Sequence, residues 1–471
     1  MQLFNTSKAL LSSALAIASF ALPAMSSNTS GTTTGTINGA PFISNGTTGI
    51  ATEWRPKRRF PSPGSSGLWE IRLPNTPSGH AERFLLQVPS NPPTTEEVPL
   101  LVAFHRYGNS MYDIPINTQL MAEADQRGWY VVAPMGIADD NLNSVQAQMN
   151  YEYVLELMMR FYPIDATRIY GIGHSMGGGN CLSYAARHLD PSKPMFAALV
   201  NHTGVMSQAH SYENDAFSTN GFLQPIWEFW YGGDPSTAEF NYQRSSLIDV
   251  PFEMGFPRIP AVDQNTDMAR NLCHIPTQTW IADNDPLQEL VIQNIAFHDQ
   301  MVLRGGDHEL ITIPFDDHLW SILDYQQVFD FLASKTLTLP TAAETLADRD
   351  GKYFHFGVTQ AAEGAFTPFN WNVNSLVNSL HLTNVSNLAI MDVDVAGAQL
   401  TTRPGETLVV EIATTDASTP EIRLNGISTP PSTVMCDGQV VTSWTFNPVD
   451  QCIAFQDAIP STDAHTWTFG F

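Results

Sequence analysis

Basic residues are scarce in this chain: 22 Lys and Arg stand against 47 Asp and Glu among 471 residues, a formal net charge of −25. Such a surface repels nucleic acid and anionic membranes. The sequence also has no glycine-rich phosphate loop, no dinucleotide fingerprint and no stripe of basic and aromatic residues. We therefore expect no nucleic-acid partner.

Cysteine is rare as well, with four in the whole chain. None has the spacing of metal ligands and no CxxC or HExxH motif occurs, so we expect no metal site. In a secreted protein an even number of cysteines suggests disulfides. Cys436 and Cys452 lie near each other in the sequence, and we expect them to pair. The sequence leaves open whether Cys181 and Cys273 form a second bond.

A long apolar run stands near the start of the chain, where Lys8 is followed by residues 9–22 and then by Ala24. A basic residue, an apolar core and a small residue for cleavage are typical of a secretory signal peptide, which we expect at 1–24. The run is too short for a comfortable membrane span, and no other stretch of the sequence is long and apolar enough. Residues 25–60, rich in Thr, Gly, Ser and Asn, are expected to be a flexible linker. The protein is then expected to be secreted, either extracellular or periplasmic.

Residues 173–177 read Gly-His-Ser-Met-Gly and match the G-x-S-x-G pattern of a nucleophile elbow. The apolar segment 168–172 before them is typical of a strand, and 178–188 after them is typical of a helix. A strand that turns sharply into a helix lifts the serine hydroxyl clear of the backbone, close to the helix N–H groups. Because the motif also occurs by chance, this context carries the prediction that Ser175 is a nucleophile.

Acidic and histidine side chains follow two later segments that are typical of strands. The segment 277–282 precedes Asp283 and Asp285, and the segment that begins at His308 precedes His318. Since the carboxyl ends of parallel strands meet at one edge of a sheet, we expect these groups to lie near the serine. We expect Asp285 to be the acid, with Asp283 as the alternative, and His318 to be the base. His308 opens its strand and is expected to be structural.

These residue types suit one reaction. A serine hydroxyl attacks a carbonyl carbon when a base takes its proton, and histidine ionises near neutral pH. A carboxylate orients the imidazole and stabilises the imidazolium. The oxyanion that forms needs hydrogen-bond donors, and the N–H of Met176, directly after the serine, is one expected donor. The chain order Ser175, Asp285, His318 is that of α/β-hydrolases.

The segment 99–104 is typical of an early strand, and it runs into the sequence His-Arg-Tyr-Gly at 105–108. With the elbow and the order of acid and histidine, this stretch resembles the α/β-hydrolase superfamily over residues 80–335. Within that superfamily it is similar to secreted esterases related to polyhydroxybutyrate depolymerases and feruloyl esterases. The resemblance implies that Tyr107 supplies the second oxyanion N–H. Arg106 stands where the family usually has glycine, so a left-handed backbone there would be strained.

Strand-like and helix-like segments alternate over residues 61–338, which argues for a mostly parallel sheet flanked by helices. We expect this range to be one catalytic domain of the α/β-hydrolase fold, with its last helix at about 318–334. The connection 202–274 is unusually long and rich in aromatic residues, as in a lid. Trp227 and Trp230 within it are candidates for substrate binding; alternatively, the aromatic residues form the insertion's own core.

From about residue 340 the alternation stops, and short β-type runs separated by turn residues follow. We expect residues 345–471 to be a β-rich, sandwich-like accessory domain. Its Trp371, Trp444 and Trp467 either are exposed and bind a polymer or fill the domain's own core. The resemblance to esterases does not extend to this region.

The sequence thus predicts a secreted serine esterase that works through an acyl-enzyme and needs no cofactor. The resemblance implies an ester substrate, with polyesters and feruloyl-type esters as the leading candidates. Two alternatives stay open. Residues 242–246 resemble a segment of prolyl-oligopeptidase-like hydrolases, which favours a serine peptidase, and the β-rich domain allows a non-catalytic polymer-binding protein. The acyl and alcohol specificity and the oligomeric state are not determined by the sequence.

Overall fold

The computed structural model describes residues 60–471 except 62–63, 93–95, 253–261, 263–264 and 458–460, and upstream of them the backbone of three strands, β1 (Thr33–Ile37), β2 (Ala40–Ser44) and β3 (Thr48–Thr52). The expected signal peptide at 1–24 lies outside the described residues, as does most of the expected linker at 25–60. The three strands within that linker range extend one edge of the central sheet.

The central sheet has eleven strands in the order β1-β2-β3-β4-β5-β7-β6-β8-β9-β10-β11. Neighbours from β7 to β11 are parallel, whereas β5 is antiparallel to both of its neighbours. The carboxyl ends of β8, β10 and β11 therefore lie at the same edge. The strands after β3 are β4 (Gly67–Leu73), β5 (Glu82–Val88), β6 (Val98–Phe104), β7 (Tyr130–Pro134), β8 (Ile164–His174), β9 (Ala198–His202), β10 (Thr277–Ala282) and β11 (His308–Ile313).

Helices cover both faces of this sheet. They are α1 (Asp113–Asn117), α2 (Leu120–Gln126), α3 (Val145–Phe161), α4 (Met176–Arg187), α5 (Gln208–Thr219), α6 (Gln224–Tyr231), α7 (Glu239–Arg244), α8 (Gln288–Leu303) and α9 (Tyr325–Ala333). Because successive side chains of a strand point to opposite faces, Val102 and Phe104 of β6 pack with α3 and α4, whereas Leu101 and Ala103 pack with α1, α2 and α9. The predicted parallel α/β architecture is confirmed.

The last helix of this region begins later than the sequence suggests. A short 3₁₀ turn at Trp320–Ile322 comes first, and α9 starts only after Asp324. The Asp324 carboxylate accepts a hydrogen bond from the N–H of Gln327 at 3.1 Å and so caps the helix. The expectation of a helix from residue 318 is therefore wrong, and residues 314–319 form a loop after β11.

The C-terminal region consists of two packed β-sheets, which confirms the predicted β-rich character. One sheet runs β12-β15-β16-β18-β24-β20-β21 and the other runs β13-β14-β17-β19-β23-β22. We call this pair, from Ala342 onward, the sandwich. Its strands are β12 (Ala342–Ala347), β13 (Gly351–Tyr353), β14 (Phe356–Gln360), β15 (Thr367–Asn374), β16 (Ser379–Val385), β17 (Leu388–Asp394), β18 (Thr407–Thr414), β19 (Glu421–Asn425), β20 (Thr433–Cys436), β21 (Gln439–Val440), β22 (Trp444–Asn447), β23 (Cys452–Phe455) and β24 (His465–Gly470).

The tryptophans of the sandwich mostly belong to its interior. Trp371 and Trp467 are buried in the core between the sheets, and Trp444 is partly buried against it. These indole rings therefore fill the core that holds the two sheets together, and Trp371 and Trp467 present no aromatic face to solvent.

The expected disulfide between Cys436 and Cys452 is not formed. Cys436 ends β20 in one sheet of the sandwich, whereas Cys452 begins β23 in the other, and all four cysteines have free thiols. Closeness in sequence was misleading because the chain crosses between the sheets in the intervening residues. Cys181 and Cys273 are likewise unpaired. Within the part of the chain that the structure describes, no helix has the length and apolar character needed to cross a membrane.

Candidate active site

Ser175 lies at a sharp turn between β8 and α4, with φ 58° and ψ −124°. A non-glycine residue in this left-handed region is strained, as is common at functional sites. The flanking glycines make the turn sterically feasible. A Cβ on Gly173 would lie 2.0 Å from the carbonyl oxygen of Gly177, and a Cβ on Gly177 would lie 2.2 Å from that of Phe104. The G-x-S-x-G sequence is therefore a packing requirement of this turn.

Backbone hydrogen bonds hold the serine in place. Its N–H donates to the carbonyl of His202 at 2.9 Å, and its carbonyl accepts from Gly178 at 3.0 Å and Gly179 at 3.2 Å. The Ser175 side chain makes no hydrogen bond within the described part of the chain, and the residue is 8% exposed. The hydroxyl is thus reachable and uncommitted.

Asp285 and His318 meet beside this turn. The Asp285 carboxylate is fully buried, and its Oδ2 accepts from Nδ1 of His318 at 2.7 Å. Its Oδ1 accepts from the N–H of Leu287 at 2.8 Å. This bond fixes the tautomer in which Nδ1 carries the proton and Nε2 is the free base. Nε2 of His318 is buried and has no hydrogen-bond partner among the described residues.

The alternative acid, Asp283, has a different position. It is exposed, and its Oδ1 accepts from the N–H of Phe315 at 3.0 Å. Asp283 therefore braces the loop after β11 against the end of β10, while Asp285 is the residue that contacts His318. His308 lies at the amino end of β11, with Nδ1 2.8 Å from Nδ1 of His298 and Nε2 2.9 Å from Oγ1 of Thr279. It is distant from the elbow along its strand.

Three imidazole rings pack together at the site, and those of His174 and His202 are stacked. The ring of His174, the residue before the serine, lies 3.8 Å from that of His202 and 4.3 Å from that of His318, measured between centroids. Burial lowers the pKa of His174 well below its ordinary value and lowers that of His202 to about 3. Both rings are therefore neutral at neutral pH, and they pack against His318 without repelling a positive charge on it.

His202 also holds the loop that carries His318. Its Nε2 lies 2.8 Å from the carbonyl oxygen of Leu319 and its Nδ1 3.1 Å from Oγ1 of Thr203. A carbonyl can only accept, so Nε2 carries the proton in this contact. No sequence pattern indicates this role, because His202 lies more than a hundred residues before the loop it anchors.

Two backbone N–H groups beside the serine have no acceptor. Among the described residues, those of Met176 and Tyr107 make no hydrogen bond. Both belong to segments that converge on the elbow, because Gly177 contacts the carbonyls of Phe104 and His105. Free donors of this kind, already oriented, can stabilise a negative oxygen.

The backbone of Arg106 is not strained, although the family that the sequence resembles usually has glycine at this position. Its φ is not positive; the left-handed residue of this loop is Gly108, with φ 67°. The Arg106 guanidinium instead pairs with the buried carboxylate of Asp113, with Nη2–Oδ1 2.8 Å and Nε–Oδ2 3.2 Å. The arginine therefore anchors the loop to α1.

A second buried carboxylate, that of Glu82, supports the loop at residues 105–108 through a neighbouring segment. Glu82 accepts from the N–H groups of Met135, Gly136 and Ile137 at 2.9–3.0 Å and from Nδ2 of Asn150 at 2.8 Å. The segment it fixes continues to residue 139, whose carbonyl accepts from Gly108 at 2.8 Å. Glu82 was not singled out by sequence reasoning, since an acid within a strand has no motif.

The helices α5, α6 and α7 form a cap, which we define as residues 208–244. Its aromatic side chains pack on the elbow in a cluster that includes Leu142, Met176, Tyr212, Trp227, Tyr231 and Tyr242, with Tyr107 and Trp230 at its margin. Trp227 is buried within this cluster, and its indole N–H donates to Gln208 Oε1 at 3.0 Å. Trp230 is partly exposed. Of the two candidate substrate-binding tryptophans, only Trp230 offers surface to a ligand.

The sheet order, the elbow on β8 and the acid and histidine after β10 and β11 define the α/β-hydrolase fold. No protein-family model matches the sequence, and no curated protein matches it. Several solved structures are similar. An S-formylglutathione hydrolase from Agrobacterium tumefaciens shares 13% identity, with 59% of this chain and 98% of that one covered and a TM-score of 0.42. A ferulic acid esterase shares 16%, with 57% and 97% covered and a TM-score of 0.40.

An acylaminoacyl peptidase from Pyrococcus horikoshii is similar to the same degree, at 15% identity and a TM-score of 0.42, with 64% of this chain and 46% of that chain covered. The fold is established by the strand order and elbow of this chain itself, and these similarities say nothing about its substrate.

Proposed function

We propose that the protein is a serine esterase that hydrolyses carboxylic esters through an acyl-enzyme. The main support is the 2.7 Å contact between Asp285 Oδ2 and His318 Nδ1, which leaves Nε2 as a free base beside the strained elbow of Ser175. An oriented acid and histidine next to a serine hydroxyl that makes no hydrogen bond within the described residues are the parts that nucleophilic acyl transfer requires.

In the proposed reaction, Ser175 Oγ attacks the ester carbonyl carbon while His318 Nε2 takes the hydroxyl proton. The negative oxygen of the tetrahedral intermediate accepts hydrogen bonds from the N–H groups of Met176 and Tyr107. When the intermediate collapses, the carbon–oxygen bond to the alcohol breaks and His318 returns its proton to the leaving oxygen. A water molecule, deprotonated by the same Nε2, then attacks the acyl carbon; the bond from that carbon to Ser175 Oγ breaks, His318 returns the proton to Oγ, and the acid is released.

The substrate class is proposed from the cap. Aromatic side chains of the cap pack in one cluster with Met176, and Tyr107 packs against that cluster, so acyl or alcohol groups that are apolar or aromatic fit this side of the site. Polyesters and feruloyl-type esters satisfy that description and agree with the resemblance of the sequence. The proposal that the enzyme is secreted is supported only by the pattern of residues 1–24.

A serine peptidase is the second candidate, favoured by the resemblance of residues 242–246 to prolyl-oligopeptidase-like hydrolases. The two are separated by aminoacyl amides: a peptidase cleaves them, whereas an esterase hydrolyses p-nitrophenyl esters and leaves these amides intact. A non-catalytic polymer-binding protein differs from both, because it reacts with no fluorophosphonate.

The test is a panel of p-nitrophenyl esters, aromatic esters, polyesters and aminoacyl amides together with fluorophosphonate labelling, applied to the wild type, Ser175→Ala and Ser192→Ala. Ser192 is an exposed serine bonded to Asp190 and serves as the matched control. We expect labelling and ester hydrolysis in the wild type and in Ser192→Ala, and neither in a folded Ser175→Ala. Undiminished hydrolysis in Ser175→Ala contradicts the proposal, as does a wild type that cleaves amides but no esters.

A further inference from the structure

A buried cluster of charges lies where the elbow helix, the cap and the sandwich meet. Oδ2 of Asp348 accepts from Nε and Nη2 of Arg187 at 2.9 and 2.6 Å, and from Nε and Nη2 of Arg244 at 2.9 and 2.7 Å. The side chains of Asp348 and Arg187 have no solvent exposure, and that of Arg244 has 16%. Arg187 also donates to Gln148 at 2.6 Å.

The three charged residues come from three separate parts of the chain. Arg187 ends α4, the helix that begins at Ser175; Arg244 ends α7 of the cap; Asp348 follows β12 of the sandwich. Burial by itself raises the pKa of Asp348, but the guanidinium groups of Arg187, Arg244 and Arg349 hold that pKa well below its usual range. The carboxylate is therefore ionised at any physiological pH, and removing it would leave Arg187 charged and unpaired in the interior.

Residues of the sandwich and residues of the central-sheet region also contribute to each other's hydrophobic cores. Leu189 and Met195, which follow the elbow helix, belong to the core of the sandwich, and Leu346 of the sandwich belongs to the core beneath the central sheet. The N–H of Phe354 donates to the carbonyl of Leu189 at 2.7 Å, and Asn271 both donates to and accepts from the backbone of Leu346 at 2.9 and 2.8 Å. An interface built from shared cores and buried backbone bonds does not open easily.

The cap contacts the sandwich through α7. Phe240 packs on Phe366 of the sandwich with ring centroids 5.0 Å apart, and the Arg244 guanidinium lies 5.2 Å from the centre of the Phe240 ring. On the opposite side of α7, Tyr242 packs on Tyr231 at 4.5 Å within the cluster that contains Met176. The same short helix thus connects the sandwich to the aromatic side chains beside the serine.

We propose that the sandwich is a fixed part of the catalytic unit and that Asp348, acting through Arg244, positions the cap over Ser175. The effect on KM rests on the proposed esterase function. The anchoring of the cap by Arg244 and Asp348 does not depend on that function. It assigns Asp348 and Arg244 as positioning residues that influence which substrates fit under the cap. Trp371 and Trp467 have no polymer-binding role in this arrangement, since both lie in the core of the sandwich.

The experiment compares full-length Arg244→Met, Arg244→Lys and Arg423→Met with the wild type. Arg423→Met is the control, since Arg423 pairs with Glu421 of the same strand of the sandwich and both side chains are partly exposed. Arg244→Met keeps an apolar stem of similar length but removes the charged fork, and it leaves the Arg187–Asp348 pair intact. Asp348→Asn is unsuitable as the main variant because it threatens folding.

The expected result has two parts. Hydrogen–deuterium exchange of residues 224–244 becomes faster in Arg244→Met. The exchange rate in Arg244→Lys lies between those of Arg244→Met and the wild type, and the rate in Arg423→Met equals that of the wild type. KM for a bulky aromatic ester rises about tenfold in Arg244→Met while kcat falls by less than about twofold, and kcat/KM for p-nitrophenyl acetate stays the same. A merely structural effect would reduce activity toward both esters equally.

Two outcomes would overturn the inference. One is an exchange rate of residues 224–244 in Arg244→Met that equals that of the wild type. The other is an equal loss of kcat/KM for the bulky and the small ester. A wild type without ester hydrolysis would refute the proposed function, and the exchange measurement would still report on the anchoring of the cap.

Discussion

The indole N–H of Trp320 donates to Asp113 Oδ2 at 3.0 Å, and the same carboxylate pairs with Arg106. Trp320 follows His318 by two residues, and Arg106 precedes Tyr107. One buried carboxylate therefore connects the loop that carries the proposed base with the loop that carries a proposed oxyanion donor. The two halves of the site are held at a fixed distance by a residue that touches neither substrate nor serine.

Replacing Trp320 by Phe should lower kcat for p-nitrophenyl butyrate by about tenfold with little change in KM, because a small displacement of the base or the oxyanion donors weakens transition-state binding alone. The Phe ring keeps most of the packing while the bond to Asp113 is lost. Steady-state kinetics check this outcome.

Trp280→Phe is the matched control for that change. Trp280 is buried in the same cluster, but its indole nitrogen has no hydrogen-bond partner among the described residues. Its replacement should leave kcat within about twofold of the wild type. Equal kcat in the two variants would argue against a link through Asp113.

The two neighbouring acids should behave very differently. Asp285→Asn should reduce kcat by about 10⁴-fold, because an amide in contact with Nδ1 of His318 can donate and so favour the tautomer whose Nε2 carries the proton. Asp283→Asn should change kcat by no more than about twofold, since an amide oxygen still accepts from the N–H of Phe315. Single-turnover acylation with a chromogenic ester measures both effects; similar losses in the two variants would refute the assignment of Asp285.

Stability should fall on mild acidification. Burial lowers the pKa of His202 and of His308 to about 3 and that of His274 to about 4. A histidine whose pKa is lower in the folded than in the unfolded chain binds fewer protons when folded. Its contribution to the free energy of unfolding is therefore complete above the pKa of the unfolded chain, about 6.5, and is lost as the pH falls toward the pKa of the folded chain. The loss is about 1.4 kcal/mol per pH unit for each such histidine.

Urea denaturation at about pH 7.5 and about pH 5.5 tests this dependence. The midpoint should drop at the lower pH in the wild type, and by less in His308→Gln, whose neutral side chain does not titrate. A midpoint that rises on acidification would show that other groups dominate.

The features that the sequence predicted correctly depend on residues that are close together along the chain. The elbow could be predicted because its geometry requires glycine at two positions. A Cβ at Gly173 would collide with the carbonyl of Gly177, and a Cβ at Gly177 would collide with that of Phe104. The α/β alternation and the β-rich C-terminal region followed from hydrophobic periodicity. The disulfide prediction failed because the number of residues between Cys436 and Cys452 says nothing about the sheets in which they lie.

The sequence could not reveal the residues that hold the site together. His202, Asp113, Glu82 and Asp348 are ordinary polar residues whose partners lie far along the chain, and no local pattern distinguishes them from solvated side chains. Their burial and their pairing with Leu319, Trp320 or Arg187 arise only when strands that are distant in sequence become neighbours.

By itself the sequence determined the periodicity of the central domain, the serine at a strand-to-helix turn, and the acid and histidine types that follow later strands, because backbone sterics and side-chain chemistry are local properties. Tertiary structure alone decided that Asp285 and not Asp283 meets His318, that Arg106 is paired and unstrained, and that the sandwich is joined to the cap through Asp348. These depend on which groups are enclosed together away from water, where an unpaired charge is costly and a single carboxylate can hold three parts of the chain in register.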